Sequence, residues 1–169
     1  RLILATGSKP FIPPVKGSDL QGVRSFRDIH DVNKMLDYCK SHKNAVVIGG
    51  GLLGLEAAYG LKQRGMNVTV LHLMDRIMDR QLDEKASQML KTSIEQKGIR
   101  ILTEANTEEL MGENGHVTQV RLKDGSILDA DLVVFAVGIR PNMALAQSAG
   151  LLCNRGILVN DTMQSYDPS

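Results

Sequence analysis

The chain has 169 residues, 43% of them hydrophobic, enough for one domain with a sizeable core and short of the usual length for two. Its 20 basic and 19 acidic residues leave a net charge of +1, which excludes bulk attraction to nucleic acid or to an anionic membrane surface. No apolar run reaches the roughly 18 to 20 residues that span a bilayer, and no basic, apolar and small-residue series marks a secretion signal, so a soluble cytoplasmic protein is expected.

Arg1-Leu2-Ile3-Leu4-Ala5-Thr6-Gly7 reads as an apolar strand already in progress, so the chain is expected to begin in the middle of a larger one. Residues 8 to 27 carry Pro10, Pro13, Pro14, Gly17 and Gly22, a density of chain breakers that suits a linker. From Asp28 to about His42, Val32, Met35, Leu36 and Cys39 repeat at helical spacing on one face. After the polar run Ser41 to Asn44 comes Ala45-Val46-Val47-Ile48, a continuous apolar strand of the kind buried on both faces. Gly49 to Gly65 then reads as a tight turn and helix, and Asn67 to Leu71 as a β-branched strand. The next helix has Asp83 as its N-cap, Ala86, Leu90 and Ile94 on one face, and Gly98 past its end, before a short strand at Ile99 to Leu102.

Beyond Thr103 the pattern changes to short alternating segments broken by Asn114-Gly115 and Asp124-Gly125, which predicts an antiparallel meander. Leu132 to Val137 returns to the continuous apolar character of a central strand. The fold expected is a doubly wound, Rossmann-like α/β domain: a parallel sheet from the strands near 45, 67, 99 and 131, helices on one face and the meander on the other.

Gly49-Gly50-Gly51-Leu52-Leu53-Gly54 is a GxGxxG placed directly after a buried strand and opening a helix, and this placement raises it above a lone pattern. Gly49 permits the sharp turn, Gly51 lets backbone amides approach a pyrophosphate, and Gly54 lets the helix pack closely. The positive helix end then serves the phosphates without any basic residue. Small residues continue the Gly54 face at Ala57 and Ala58, followed by Leu61. An acidic residue about 20 positions on commonly accepts from the adenine ribose hydroxyls. Here that position, 23 residues after Gly49, is His72. Without the carboxylate NADPH is not repelled, and Arg76 is near enough to meet a 2′-phosphate, whereas Asp75 beside it argues the other way, so the choice between NADH and NADPH stays open.

These residues resemble the FAD-dependent pyridine nucleotide-disulphide oxidoreductases over essentially the whole chain. Leu4-Ala5-Thr6-Gly7-Ser8-Lys9-Pro10 is similar to the segment by which the FAD domain of that family hands the chain to the NAD domain, and Phe135-Ala136-Val137-Gly138-Ile139-Arg140-Pro141-Asn142 to the returning segment. The resemblance implies that Glu56 lies near the flavin and nicotinamide interface and that Val137 and Gly138 approach the nicotinamide end. It implies residues 1–27 as FAD-domain strand plus linker, 28–142 as the NAD(P)-binding domain and 143–169 as a return segment. Val70 to Asp83 is similar to the stretch after the second strand in nitrite reductase large subunits, which implies a role in nitrate assimilation. Rubredoxin and ferredoxin reductases and NADH oxidases share the general pattern and stay open as alternatives, as does a nucleotide-sensing module without catalysis. The cofactors implied are NAD(P)H, with NADH slightly favoured, then FAD in the full-length protein only, and sirohaem with an iron–sulfur cluster in other domains of a nitrite reductase. The FAD domain of the same chain is the implied partner, and a homo-oligomer is allowed.

No residue is expected to act as a catalytic acid or base, because hydride transfer is the cofactors' own chemistry. Cys39 and Cys153 form no CxxC pair and are expected to be inert. His30, His42 and His116 lack metal-ligand spacing, and no metal is expected.

Overall fold

A computed structural model describes residues 2–167. In chain order these form β1 (Ser8–Pro10), β2 (Val23–Ser25), α1 (Ile29–Cys39), β3 (Asn44–Ile48), α2 (Leu52–Gln63), β4 (Asn67–Leu71), α3 (Glu84–Gln96) and β5 (Ile99–Leu102). They continue with β6 (Thr107–Glu113), β7 (His116–Leu122), β8 (Ile127–Asp129), β9 (Leu132–Phe135), β10 (Ile139–Pro141) and α4 (Ala144–Ser148). The chain separates into two compact units, Phe11–Val137 and Arg1–Pro10 with Gly138–Ser169.

The larger unit is built on a parallel sheet in the order β2-β9-β3-β4-β5. Side chains alternate across it with the two-residue period of a strand. Ala45, Val47, Val68, Val70, Leu132 and Val134 pack in one core cluster with Ala57, Ala58 and Leu61 of α2 and Met35 of α1, against which Leu90 and Ile94 of α3 also rest. Val46, Ile48, Leu71, Val133 and Phe135 face the opposite way and meet Leu110, Val117, Val120 and Leu122 of the meander β6-β7-β8. Both faces of β3 and β9 are therefore covered, as their unbroken apolar runs require, and each Val, Leu, Ile or Phe side chain removed from water contributes about 1.5 to 3 kcal/mol.

Local chemistry sets the helix ends. The Asp28 carboxylate accepts from the His30 and Asp31 amides at 2.8 and 3.0 Å and holds α1, while Asp83 accepts from the Ala86 amide at 2.8 Å and holds α3. The hairpin at Asn114-Gly115 takes positive φ at both residues, 50° and 80°, as a two-residue connection between twisted strands prefers.

Two expectations are corrected here. Residues 8 to 27 are not simply linker: β2 adds a fifth strand to the parallel sheet, and the residues ahead of it are tied to the meander by Leu110 N–H to Lys16 O at 2.8 Å and Gln21 N–H to Gly115 O at 2.9 Å. Prolines withdraw only their own donors, so the remaining backbone groups of this segment were free to find partners in strands almost a hundred residues away. In the smaller unit, residues 2 to 7 are not a strand, and Leu2 and Ile3 are exposed. No described strand pairs with them; regular pairing starts at β1, which runs antiparallel to β10.

Candidate functional site

The chain leaves β3 towards β4 and β5 on one side, and β9 enters on the other. Strand order thus reverses at the carboxyl ends of β3 and β9, where an open α/β sheet leaves a crevice. The glycine turn lies there. Gly49 N–H donates to Leu71 O at 2.8 Å, and Ala136 N–H donates to Ile48 O at 2.9 Å, so the turn starts from fixed ladder bonds on both flanks.

Three of the four glycines are demanded by the protein's own packing. Gly49 has φ of +122°, and a Cβ there would stand 2.4 Å from the Ala136 carbonyl oxygen. A Cβ on Gly54 would stand 1.8 Å from the Gly49 carbonyl oxygen, so the close approach this glycine permits is between the first turn of α2 and the loop itself. One on Gly50 would press on the His72 ring at 2.9 Å and on Ile77 at 3.0 Å. Gly51 is different. Its backbone is extended, at φ −86° and ψ −177°, and a Cβ there would meet nothing within 4 Å.

Gly51 is also the N-cap of α2 and has no side chain to cap with. The first helical bond is Leu55 N–H to Gly51 O at 3.0 Å, and the amides of Leu52, Leu53 and Gly54 have no partner among the described residues. The positive end of a 12-residue helix therefore opens onto the space above Gly51. Leu52 and Leu53 are exposed beside it, and Glu56, one turn further on, is exposed with no hydrogen bond or ion pair among the described residues.

His72 follows the last residue of β4, as its spacing led one to expect, and its side chain is only 12% exposed. Its Nδ1 accepts from the Gly50 amide at 3.0 Å, and its Nε2 lies 3.1 Å from Asp79 Oδ1. Arg76 is half-buried and pairs with Asp75 at 3.1 Å, so these neighbours offset each other's charge. Val137 closes the far side of the turn, its Cγ1 3.4 Å from where a Gly49 Cβ would be.

Within the smaller unit, Thr6 Oγ1 donates to Asn142 O at 2.6 Å, Asn142 Nδ2 to Thr6 O at 2.8 Å, and Asn142 N–H to Gly7 O at 2.9 Å. Ala5-Thr6-Gly7 and the segment around Asn142 are thereby held together. Gly138 takes φ of +112° and is exposed.

Sequence reasoning gave Ile77, Met78, Asp79 and Ser87 no part in shaping the turn. Met78 N–H donates to Gly50 O at 2.9 Å, and the buried Ser87 hydroxyl donates to Ile77 O at 2.8 Å. These residues lie in an aperiodic loop and on a helix flank, so no spacing rule marks them. A groove of about 590 Å³, lined by residues that include Cys39, Lys40 and Arg64, opens at the carboxyl ends of α1 and α2, a helix length of about 18 Å from the turn. Burial pushes the Cys39 thiol up, and its Sγ rests 3.5 Å from Met66 Sδ.

A match to the pyridine nucleotide-disulphide oxidoreductase family covers residues 1–169. The chain belongs to that family. It is 53% identical over 167 residues to nitrite reductase [NAD(P)H] of Bacillus subtilis (strain 168), covering 99% of this chain and 21% of that protein. It is 47% identical over 169 residues to the assimilatory nitrate reductase electron transfer subunit of the same organism, covering 100% of this chain and 22% of that protein. Among solved structures, the ferredoxin reductase for the CYP199A2 system from Rhodopseudomonas palustris superposes with a TM-score of 0.93 at 33% identity, over 97% of this chain and 41% of that chain. The chain thus spans about a fifth of the length of these two curated relatives. No described helix is long and apolar enough to cross a membrane.

Proposed function

We propose that the chain is the NAD(P)H-binding part of a longer flavoprotein reductase whose electrons serve nitrite reduction in the cytoplasm. The observation that carries the nucleotide site is Gly51: the fold leaves space around it that no packing requires, directly in front of three unpaired amides. A diphosphate fits that cradle, because it needs close backbone approach and donors and no basic side chain. When bound, NAD(P)H supplies a hydride to FAD.

The chain's own residues orient and enclose it. The amides of Leu52, Leu53 and Gly54 hold the diphosphate, with Gly49 and Gly50 shaping the turn. Arg76 serves the adenosine end, and Glu56 with Val137 the nicotinamide end. On family resemblance we also assign Gly138 and Ala5-Thr6-Gly7 to the cofactor. We place the nucleotide domain at Phe11–Val137, wider at its start than residues 28–142 because β2 belongs to its sheet, and assign the remainder to an FAD domain. FAD, sirohaem and iron–sulfur groups then belong to other parts of the full protein.

Nitrite is supported by the names of the relatives at 53% and 42% identity, both nitrite reductases, against 33% for a rubredoxin-NAD(+) reductase of Pseudomonas putida. Ferredoxin or rubredoxin reduction is the second reading, favoured by the TM-score of 0.93. Calorimetry of the chain with NADH and NADPH tests the nucleotide site, and no heat with either refutes it. For the full gene product, NAD(P)H oxidation that depends on added nitrite is expected; oxidation that depends on added ferredoxin or rubredoxin and ignores nitrite overturns the choice.

A further inference from the structure

We infer that His72 is a positioning residue, the middle of an Asp79–His72–Gly50 chain of hydrogen bonds that sets the second glycine of the turn, and that it does not read the nucleotide's ribose. The part concerning the ribose rests on the nucleotide-binding reading above; the hydrogen-bonded brace does not.

The geometry allows one tautomer. Because Nδ1 accepts the Gly50 amide at 3.0 Å, it carries no proton. The ring proton is then on Nε2 and is donated to Asp79 Oδ1 at 3.1 Å. The backbone of His72 is engaged as well, its N–H with Leu102 O at 2.8 Å and its carbonyl with Ala105 N–H at 2.9 Å. With both ring nitrogens used, none is left for a ribose hydroxyl. This is what separates the site from one with a carboxylate here, whose several lone pairs could serve a turn amide and a ribose at once.

Gly50 completes the arrangement. Its N–H goes to His72, and its carbonyl accepts from Met78 N–H at 2.9 Å, so both of its polar groups are tied to the loop that follows β4. That loop is itself anchored: Ile77 is fully buried against Gly50, and Ser87 of α3 holds the Ile77 carbonyl. Met78 takes φ of +52°, a conformation a side chain adopts at a cost and keeps only where its surroundings dictate it. The loop is thus a strap over the turn, and His72 is its polar fastening. The Gly50 donor faces the protein, and a diphosphate is left with the amides from Gly51 onward. Loss of the brace should therefore weaken NADH and NADPH alike.

The first test is on the unmutated, nitrogen-15-labelled chain without nucleotide. A scalar coupling between the Gly50 amide nitrogen and His72 Nδ1, with the proton on Nε2, is expected; no coupling, or a proton on Nδ1, overturns the brace. The second compares His72→Asn, which keeps an acceptor where Nδ1 was, with His72→Gln, which reaches towards Asp79 and leaves the Gly50 amide without one. His72→Asn should bind NADH and NADPH within about twofold of the parent, and His72→Gln should lose about five- to tenfold for both, the size of one hydrogen bond. Equal losses in both variants, or an NADH to NADPH ratio that moves more than about threefold in either, overturn the positioning role. A parent chain that binds neither nucleotide overturns the nucleotide reading and the ribose part with it, and leaves the brace to be decided by the coupling.

Discussion

Gly51 and Gly54 are three residues apart in one motif, and the structure assigns their missing side chains to different causes. At Gly54 an added Cβ would stand 1.8 Å from the Gly49 carbonyl oxygen, where real Cβ atoms keep at least 3.0 Å, so α2 must retreat by more than an ångström. Overpacking of this kind costs about 1 to 3 kcal/mol and can exceed that against backbone, while the helix preference of Ala over Gly returns about 1 kcal/mol. Gly54→Ala is expected to lose about 2 kcal/mol net, a fall in Tm of about 4 to 8 °C. At Gly51 the backbone is in a region open to any residue and the space is empty, so Gly51→Val costs only the difference between Gly and Val at an N-cap, about 1 kcal/mol or less. Its branched side chain would, however, fill the diphosphate cradle. Losing two charge-assisted hydrogen bonds at about 1.5 kcal/mol each weakens binding about 100-fold. Thermal unfolding and NADH calorimetry on the two variants measure both effects. Parent-like binding by Gly51→Val refutes the placement of the diphosphate, and parent-like stability of Gly54→Ala refutes the packing argument.

Ser87→Ala removes the buried hydroxyl that holds the Ile77 carbonyl; less the gain in helix preference, about 1 kcal/mol of stability should be lost, read as a Tm lower by about 2 to 4 °C. Two backbone amides hold the Asp28 carboxyl below its usual 3.8, so its contribution is present above that pH and lost as pH falls through the lowered folded value. The Tm gap between the parent and Asp28→Ala should be open at pH 7 and close below pH 3.8; a gap that widens in acid contradicts the assignment. Burial raises the Cys39 thiol above its usual 9.0, so alkylation at pH 8 should be slower than for an unstructured cysteine peptide, and equal rates would show the thiol to be freely solvated.

Where the determining interaction is local, it was legible in the residues. The strands at Asn67–Leu71 and Ile99–Leu102 came out with the expected limits, because short β-branched segments that follow Gly65 and Gly98 are marked as strands by side-chain type and turn signal. Asp83 caps the helix expected of it, the helix expected from Asp28 begins there, and the meander turns at its Asn-Gly and Asp-Gly pairs. The layered arrangement followed from the change of period after Thr103, and the glycine turn from its place between a buried strand and a helix.

Tertiary structure alone decided the rest. Val23-Arg24-Ser25 is too short and too polar to declare itself a strand; it becomes one because β9 offers a free parallel edge. Residues 2 to 7 are apolar enough for a strand yet join no described strand ladder, and only Thr6 and Gly7 are tied to a neighbour, Asn142. His72 was placed by spacing, but the use of its ring was set by Asp79 and Gly50, whose positions depend on how the loop folds back over the turn. Periodicity, caps and turns act over a few residues and so are written in the order of residues, whereas strand pairing and a shared histidine depend on which distant groups packing leaves within hydrogen-bond distance of one another.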